Sequence, residues 1–204
     1  MHTCWTQGPS IGLAEILDAR EQRVRIQQEL LKENPSCVVS FTLNIAGPIK
    51  VTPFTQWLYA LGNRLIHHGV LEQKGQILKK IEEKKDTGWE GFFALSLKPD
   101  AIKFYLLFQE ENHPLGRLFD FDVLRPDGSK VSRQELGFPE RTCLICGKPA
   151  FLCGRSRTHS AWELQKKTQE MMSHFYHSRM SVHIGTLMQK ALLYEVNTSL
   201  KPGL

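Results

Sequence analysis

The run Phe119-Asp120-Phe121-Asp122-Val123 alternates apolar and acidic side chains without a break. Successive side chains of a β-strand point to opposite faces. Phe119, Phe121 and Val123 therefore line one face, and Asp120 and Asp122 share the other. The aromatic face needs a core to enter, so the chain must build a sheet that is buried on one side and carries two carboxylates on the other. Arg117–Arg125 reads as this strand. Pro126-Asp127-Gly128 is a strong turn signal, and Lys130–Arg133 is placed to return as a short strand.

The remaining segments supply the layers. Ile11–Lys32 carries Ile16, Ile26 and Leu30 at near-helical spacing among Glu, Arg and Gln, and Asn34-Pro35 stops the run. Cys37–Ile45 reads as a buried strand rich in β-branched residues. Thr52 or Thr55 caps a second helix that runs to about His68, with Gly69 as its stop. Gln76–Lys84 and Gly91–Leu97 form two strands around the turn at Asp86-Thr87-Gly88, and Asp100–Asn112 is a third helix with Asp100 as its cap. Cys143–Cys153 is a compact loop, and Thr158–Val196 is helical, in one piece or broken at Gly185. Trp162, Met172, Phe175 and Met180 belong to an apolar stripe there that reads as core packing, while His174, His177 and His183 read as surface histidines. The expected class is α+β: a mixed sheet with helices mainly on one side, a small Cys-rich loop unit and a long C-terminal helical region.

With 204 residues, 41% of them hydrophobic, the chain can bury a core as one domain. We expect a single domain over residues 1–204, with 143–159 as a small Cys/His subdomain and 160–204 as the helical C-terminal region. The apolar runs Ser40–Ile45 and Phe104–Phe108 fall far short of the ~20 residues of a membrane span. Met1–Ser10 lacks the basic start and apolar stretch of a secretory signal, so the expected location is the cytoplasm, with no membrane partner. The net charge of +5 favours polyanionic partners, among them phosphorylated cofactors, nucleic acid and acidic proteins.

Two carboxylates ~7 Å apart along a strand can converge on a hard cation. Magnesium suits such a pair, because phosphate oxygens and water fill its other positions. This is the equipment of phosphoryl and nucleotidyl transfer. Gly116 allows a backbone to approach a phosphate closely, and Arg117 offers a forked donor. Strict alternation sends Arg117 to the face opposite the aspartates unless the glycine turn redirects it.

Three of the five cysteines cluster in Cys143-x2-Cys146-x6-Cys153, and His159 follows five residues later. This is metal-ligand spacing, and four such ligands would make a closed, structural zinc site; buried free thiols are the other reading. Arg155 and Arg157 lie beside the cluster, just before a helix N-terminus, where anions are favoured.

Several separate stretches together resemble one family. His113-Pro114-Leu115-Gly116-Arg117-Leu118-Phe119-Asp120-Phe121-Asp122-Val123 is similar to the signature of apo-citrate lyase phosphoribosyl-dephospho-coenzyme-A transferases, also called holo-citrate-lyase synthases. The resemblance continues through Ser132-Arg133, Arg141-x-Cys143-Leu144-x-Cys146, Ala150, Cys153 and His159. Upstream it includes Asp18-Ala19-Arg20-Glu21-x-Arg23, Val39-Ser40-Phe41-Thr42 and Gly47-Pro48-Ile49-Lys50, covering about Ile11 to His159. Phe119 stands where the family usually has Trp. The resemblance implies a nucleotidyltransferase whose substrate is triphosphoribosyl-dephospho-coenzyme A. A serine of the citrate lyase acyl-carrier subunit attacks the phosphate next to the ribose, and pyrophosphate leaves. Asp120 and Asp122 would hold magnesium and activate the serine. Lys50, Arg117, Arg133 and Arg155 are the expected triphosphate ligands. The alternatives are the equivalent transferase for the malonate decarboxylase carrier and a zinc-knuckle module docking nucleic acid through Arg155 and Arg157. The latter lacks a dense basic stripe with interleaved aromatics, so nucleic acid is not an expected partner.

Overall fold

The computed structural model describes residues 8–34 and 36–178. The order is α1 (Leu13–Glu33), β1 (Cys37–Leu43), α2 (Pro53–Glu72), β2 (Ile77–Lys85), β3 (Gly88–Leu95), α3 (Pro99–Asn112), a 3-10 turn (Gly116–Leu118), β4 (Phe119–Leu124) and α4 (Ala150–Ser156). A helix over residues 161–178, α5, follows. The α+β class, the Cys-rich loop and a C-terminal helix are as expected. Cys4, His183, Met180, Gly185 and the far end of the C-terminal helical region lie outside the described residues.

The sheet runs β2-β3-β1-β4, and every neighbouring pair is antiparallel, where the sequence suggests a mixed sheet. The connections explain the difference. The crossover through α2 carries the chain from β1 to β2, and the crossover through α3 carries it from β3 to β4. Each skips one position, and an antiparallel strand fills the gap. Two interleaved split β-α-β units of this kind make the ferredoxin-like arrangement. The parallel pairs exist but never touch.

One face is an apolar core. Val39, Phe41, Phe93, Leu95, Phe119, Phe121 and Val123 meet Leu58 and Ile66 of α2, Ile102 and Leu106 of α3, and Met172 and Phe175 of α5. Among the described residues the other face is covered by α1, through Ile26, Leu30 and Leu31 on Val38, Phe92, Ala94 and Leu124. Helices thus lie mainly on one side. Trp162 lies outside this packing, 67% exposed at the start of α5, although its spacing places it in the apolar stripe. His174 and His177 are exposed.

Thr52 caps α2, its hydroxyl accepting from the Thr55 N–H, but the helix runs past Gly69 to Glu72. Gly69 is there for space: a Cβ would sit 2.5 Å from the Tyr105 ring of α3. α3 begins one residue earlier than expected, with Lys98 rather than Asp100 at the cap. Lys130 makes only an isolated bridge to Leu124, so the predicted return strand is reduced to one pair.

β4 is an edge strand, and edge strands expose unpaired backbone groups. Here side chains and one backbone amide occupy them. The Phe119 carbonyl accepts from Arg141 at 3.3 Å, and the Phe121 N–H donates to Glu110 at 3.3 Å. The Phe121 carbonyl accepts from the Lys103 ammonium at 2.5 Å, and the Val123 carbonyl from the Val131 N–H at 2.9 Å. The aspartate strand is therefore pinned from both sides.

Candidate functional site

Register fixes the neighbourhood of the aspartates. Asp122 lies opposite Ser40 and Asp120 opposite Thr42 on β1. Their side chains share the face under α1, as alternation requires. A cavity of about 210 Å³ opens where α1 crosses the end of this face. Ile16, Ala19, Arg20 and Arg23 of α1 contribute a stripe at i, i+3, i+4 and i+7. Thr42, Asn44, Lys50, Glu90 and Asp120 are among the polar residues of its other walls, with Trp89 beside them.

The charges in the cavity are held in specific ways. Arg23 forks onto Glu90, its Nε donating to Oε2 at 3.1 Å and a terminal nitrogen donating to Oε1. Burial works against the Arg23 charge, but Glu90 outweighs it and holds the guanidinium above its ordinary value. Burial lowers the Lys50 ammonium, and Arg20 lowers it further by repulsion. Lys50 also donates to the Ile45 carbonyl, which aims its head into the site. Arg20 makes no ion pair with any described residue. An anion entering this cavity would meet cations already pushed together.

Each aspartate has its own basic partner. Asp120 accepts from Arg141 at 3.1 Å, and Asp122 from Lys130 at 2.6 Å. Arg141 also pairs at 2.5 Å with Glu110, whose side chain is only 2% exposed. The aspartates remain partly open, with side chains 42% and 32% exposed. That leaves room for a cation that keeps part of its water shell.

The expected phosphate ligands separate. Lys50 lies in the cavity. Arg117 does not: Gly116–Leu118 is a 3-10 turn, so the strand begins after it, and its guanidinium donates to the Thr142 carbonyl. Gly116 serves packing, since a Cβ would lie 2.3 Å from the Glu110 carbonyl. Arg133 pairs with Glu111, while its Nε and Nη1 are buried without a hydrogen-bond partner among the described residues. Arg155 is exposed on α4. Arg20, Arg23 and Glu90 go beyond the sequence-derived site residues. The i, i+3 spacing of the two arginines was the available signal; the residue opposite them was not.

The cysteine cluster closes as its spacing suggests. The ligand atoms of Cys143, Cys146, Cys153 and His159 all lie within 4.8 Å of one another, a set able to hold a metal such as zinc. Burial pushes the Cys143 thiol up, but N–H groups of Cys146 and Ile145 outweigh it and bring it below its ordinary value. The Cys146 and Cys153 sulfurs are 3.5 Å apart and unbonded. Among the described residues, no helix is long and apolar enough to cross a membrane.

Cations gathered beside paired carboxylates on an antiparallel α+β scaffold suit a transferase acting on a phosphorylated substrate. The chain belongs to the family of apo-citrate lyase phosphoribosyl-dephospho-CoA transferases, which matches residues 11–175, and it is therefore a member of a transferase family. It is 37% identical over 175 residues to a probable apo-citrate lyase phosphoribosyl-dephospho-CoA transferase of Streptococcus pyogenes serotype M18, covering 83% of this chain and 89% of that one. It is 32% identical over 164 residues to the transferase of that name from Escherichia coli O7:K1, covering 80% and 90%. A protein named CitXG from Haemophilus influenzae is 30% identical over 199 residues. That match takes in 98% of this chain but 42% of the relative, so the chain spans less than half of that protein's length.

Proposed function

We propose that this domain is a nucleotidyltransferase that moves the phosphoribosyl-dephospho-CoA group from triphosphoribosyl-dephospho-CoA to a serine of the apo acyl-carrier subunit of citrate lyase, releasing pyrophosphate. The observation that carries this reading is the cavity in which Arg20, Arg23, Lys50 and Asp120 converge. A triphosphate needs several cations at short range, and the partial burial of Lys50 strengthens its contact. Lys50 and Arg20 meet the phosphates. Arg23, already neutralised by Glu90, stiffens the wall instead.

Asp120 and Asp122 suit magnesium, being two partly open carboxylates on one face with hydroxyl-bearing Thr42 and Ser40 alongside. When bound there, magnesium would supply charge neutralisation at the phosphates and acidify the attacking hydroxyl. Asp120, on the cavity wall, orients the carrier serine toward the phosphate next to the ribose. Arg133 stays in this reading as a phosphate ligand whose guanidinium is held in part by Glu111. Arg117 and Arg155 stay in this reading as phosphate or carrier contacts outside the cavity. Zinc in the Cys₃His cluster would be structural, because four protein ligands leave no open position. A cytoplasmic location accords with a carrier and a substrate of this kind.

The test is direct. The protein is incubated with apo-carrier, the triphosphoribosyl substrate and magnesium, and the carrier is weighed by mass spectrometry. A mass gain equal to the prosthetic group is expected. An unchanged carrier mass overturns the reading.

A further inference from the structure

From Ser132 to Lys167 the only buried residues are Cys143 and Cys153. Apart from Leu136, which packs partly buried against the main core, nothing else in these 36 positions joins a core, and Phe151 and Leu152 of α4 are about half exposed, at 53% and 49%. Yet the segment has defined backbone hydrogen bonds. Thr142 bridges Pro149, the Cys143 N–H donates to the Lys148 carbonyl at 2.6 Å, and the Ala150 N–H donates to the Arg141 carbonyl at 2.8 Å. A module this small and this poor in apolar burial ordinarily needs a metal or disulfides to hold its shape.

We propose that Cys143, Cys146, Cys153 and His159 bind one zinc ion, and that this ion is the core of the segment and the clasp that seats Arg141 against the aspartate strand. Two independent observations support the site. The four ligand atoms lie within 4.8 Å of one another, and a zinc–sulfur bond of about 2.3 Å gives a tetrahedral edge of about 3.8 Å. The Cys146–Cys153 separation of 3.5 Å is already near that edge. Second, the Nε2 of His159 is buried with no hydrogen-bond partner among the described residues. Buried polar atoms rarely go unpartnered, and a metal at the centre of the cluster would satisfy this one.

The consequence reaches the candidate site through Arg141, with Arg117 bound to the same turn. Arg141 precedes Cys143 by two positions and is tied to the far side of the turn by the Ala150 N–H. Its guanidinium binds Asp120, Glu110 and the Phe119 carbonyl together. Arg117 reaches the same turn through the Thr142 carbonyl. Zinc therefore acts as a positioning element for Arg141. It touches neither substrate nor the reacting atoms.

The inference concerns the same chain as the transfer reading but is measured without substrate. Chain purified without chelator is expected to carry about one zinc, and cobalt exchange should give thiolate-to-cobalt charge-transfer bands with tetrahedral d–d absorption. Cys146→Ser and His159→Ala should each lose stoichiometric metal. Stripping zinc from the wild-type chain should remove hydrogen-exchange protection over residues 141–150 while leaving β1 and β3 protected, and restored zinc should return it. Folded protein without zinc, or a mass deficit of two hydrogens showing a Cys146–Cys153 disulfide, overturns the site. Zinc present, with exchange at 141–150 indifferent to its removal, overturns the clasp. Failure of carrier transfer with both results positive would count only against the transferase reading.

Discussion

The two faces of the sheet are made by the same strands and differ in almost everything else. Under α2 and α3, alternate residues of β1, β3 and β4 are fully buried aromatic and aliphatic side chains, and Phe41 stacks 4.7 Å from Phe121. Under α1 the alternate residues divide: Val38, Phe92, Ala94 and Leu124 form a small apolar patch with the helix, while Ser40 and Thr42 on β1, Glu90 on β3, and Asp120 and Asp122 on β4 are polar. Among the described residues α1 is the helix on this face: its C-terminal half packs on the apolar patch, and the cavity lies beside its N-terminal half. The larger core thus lies on one side of a single layer, and the polar chemistry occupies part of the other. Substitutions on the two faces should separate cleanly in kind.

The largest separation is expected at the strand that serves both. Asp120→Asn and Asp122→Asn should each lower carrier transfer by roughly a thousandfold or more, about 4 kcal/mol in the barrier. Their unfolding midpoints should remain near wild type, since each loses only a partly exposed ion pair. Near-normal transfer by both variants would remove the polar face from catalysis. Phe41→Ala, on the other side of β1, should cost about 3–4 kcal/mol of stability by denaturant titration, through lost transfer energy and a cavity. A loss under about 1 kcal/mol would mean that the core beneath α2 collapses to fill the gap.

How much of this was legible in the sequence follows the same division. Period-two alternation in FDFDV assigned both faces of β4 correctly, because a strand leaves no other choice. The α+β class and the Cys₃His grouping were legible for the same reason: local spacing determines them. The antiparallel strand order was not, since whether a crossover lands beside its parent strand or one position away depends on what fills the gap. Arg117 was misplaced because a 3-10 turn ends the alternation just before Phe119. Gly69 and Gly116 read as a helix stop and a phosphate approach; both are contact points, explained only by Tyr105 and by the α3 carbonyls that face them. The cavity combines a helix stripe near residue 20 with a strand near residue 120, and no local pattern links the two.

Arg141→Ala tests the seam between the faces. It strands Glu110, which is 2% exposed and accepts from the Phe121 N–H. Breaking a buried pair costs about 3–5 kcal/mol, but Arg141 is itself a quarter exposed, so about 2 kcal/mol is expected. Adding Glu110→Gln should recover part of that loss; a double variant no more stable than Arg141→Ala would mean the charge on Glu110 is not the source. Lys50→Met should act on binding instead, raising KM for the triphosphate substrate roughly tenfold, about 1.4 kcal/mol, with kcat little changed. Burial and Arg20 lower the Lys50 ammonium, so its proton is lost at lower pH than that of an exposed lysine. In the wild type, KM should therefore climb on the alkaline side, below the usual lysine range, and in Lys50→Met that climb should vanish. A KM profile unchanged by the substitution would remove Lys50 from the phosphate site.

The smallest effect is expected where the polar face is most open. Lys130 sits 2.6 Å from Asp122, but the pair is exposed, at 57% and 32%. Such pairs contribute about 0–1 kcal/mol, so Lys130→Ala should barely move the unfolding midpoint. Its effect on magnesium is the sharper measurement. The ammonium and a divalent ion compete for the same carboxylate, because each neutralises it and both cannot occupy one oxygen at bonding distance. Removing Lys130 should lower the magnesium concentration needed for half-maximal transfer, by roughly two- to fivefold, which is the coupling expected of one exposed charge near the site. A higher magnesium requirement would reverse the assignment: Lys130 would then be orienting Asp122 for the ion, and the open end of the polar face would be as organised as its buried end.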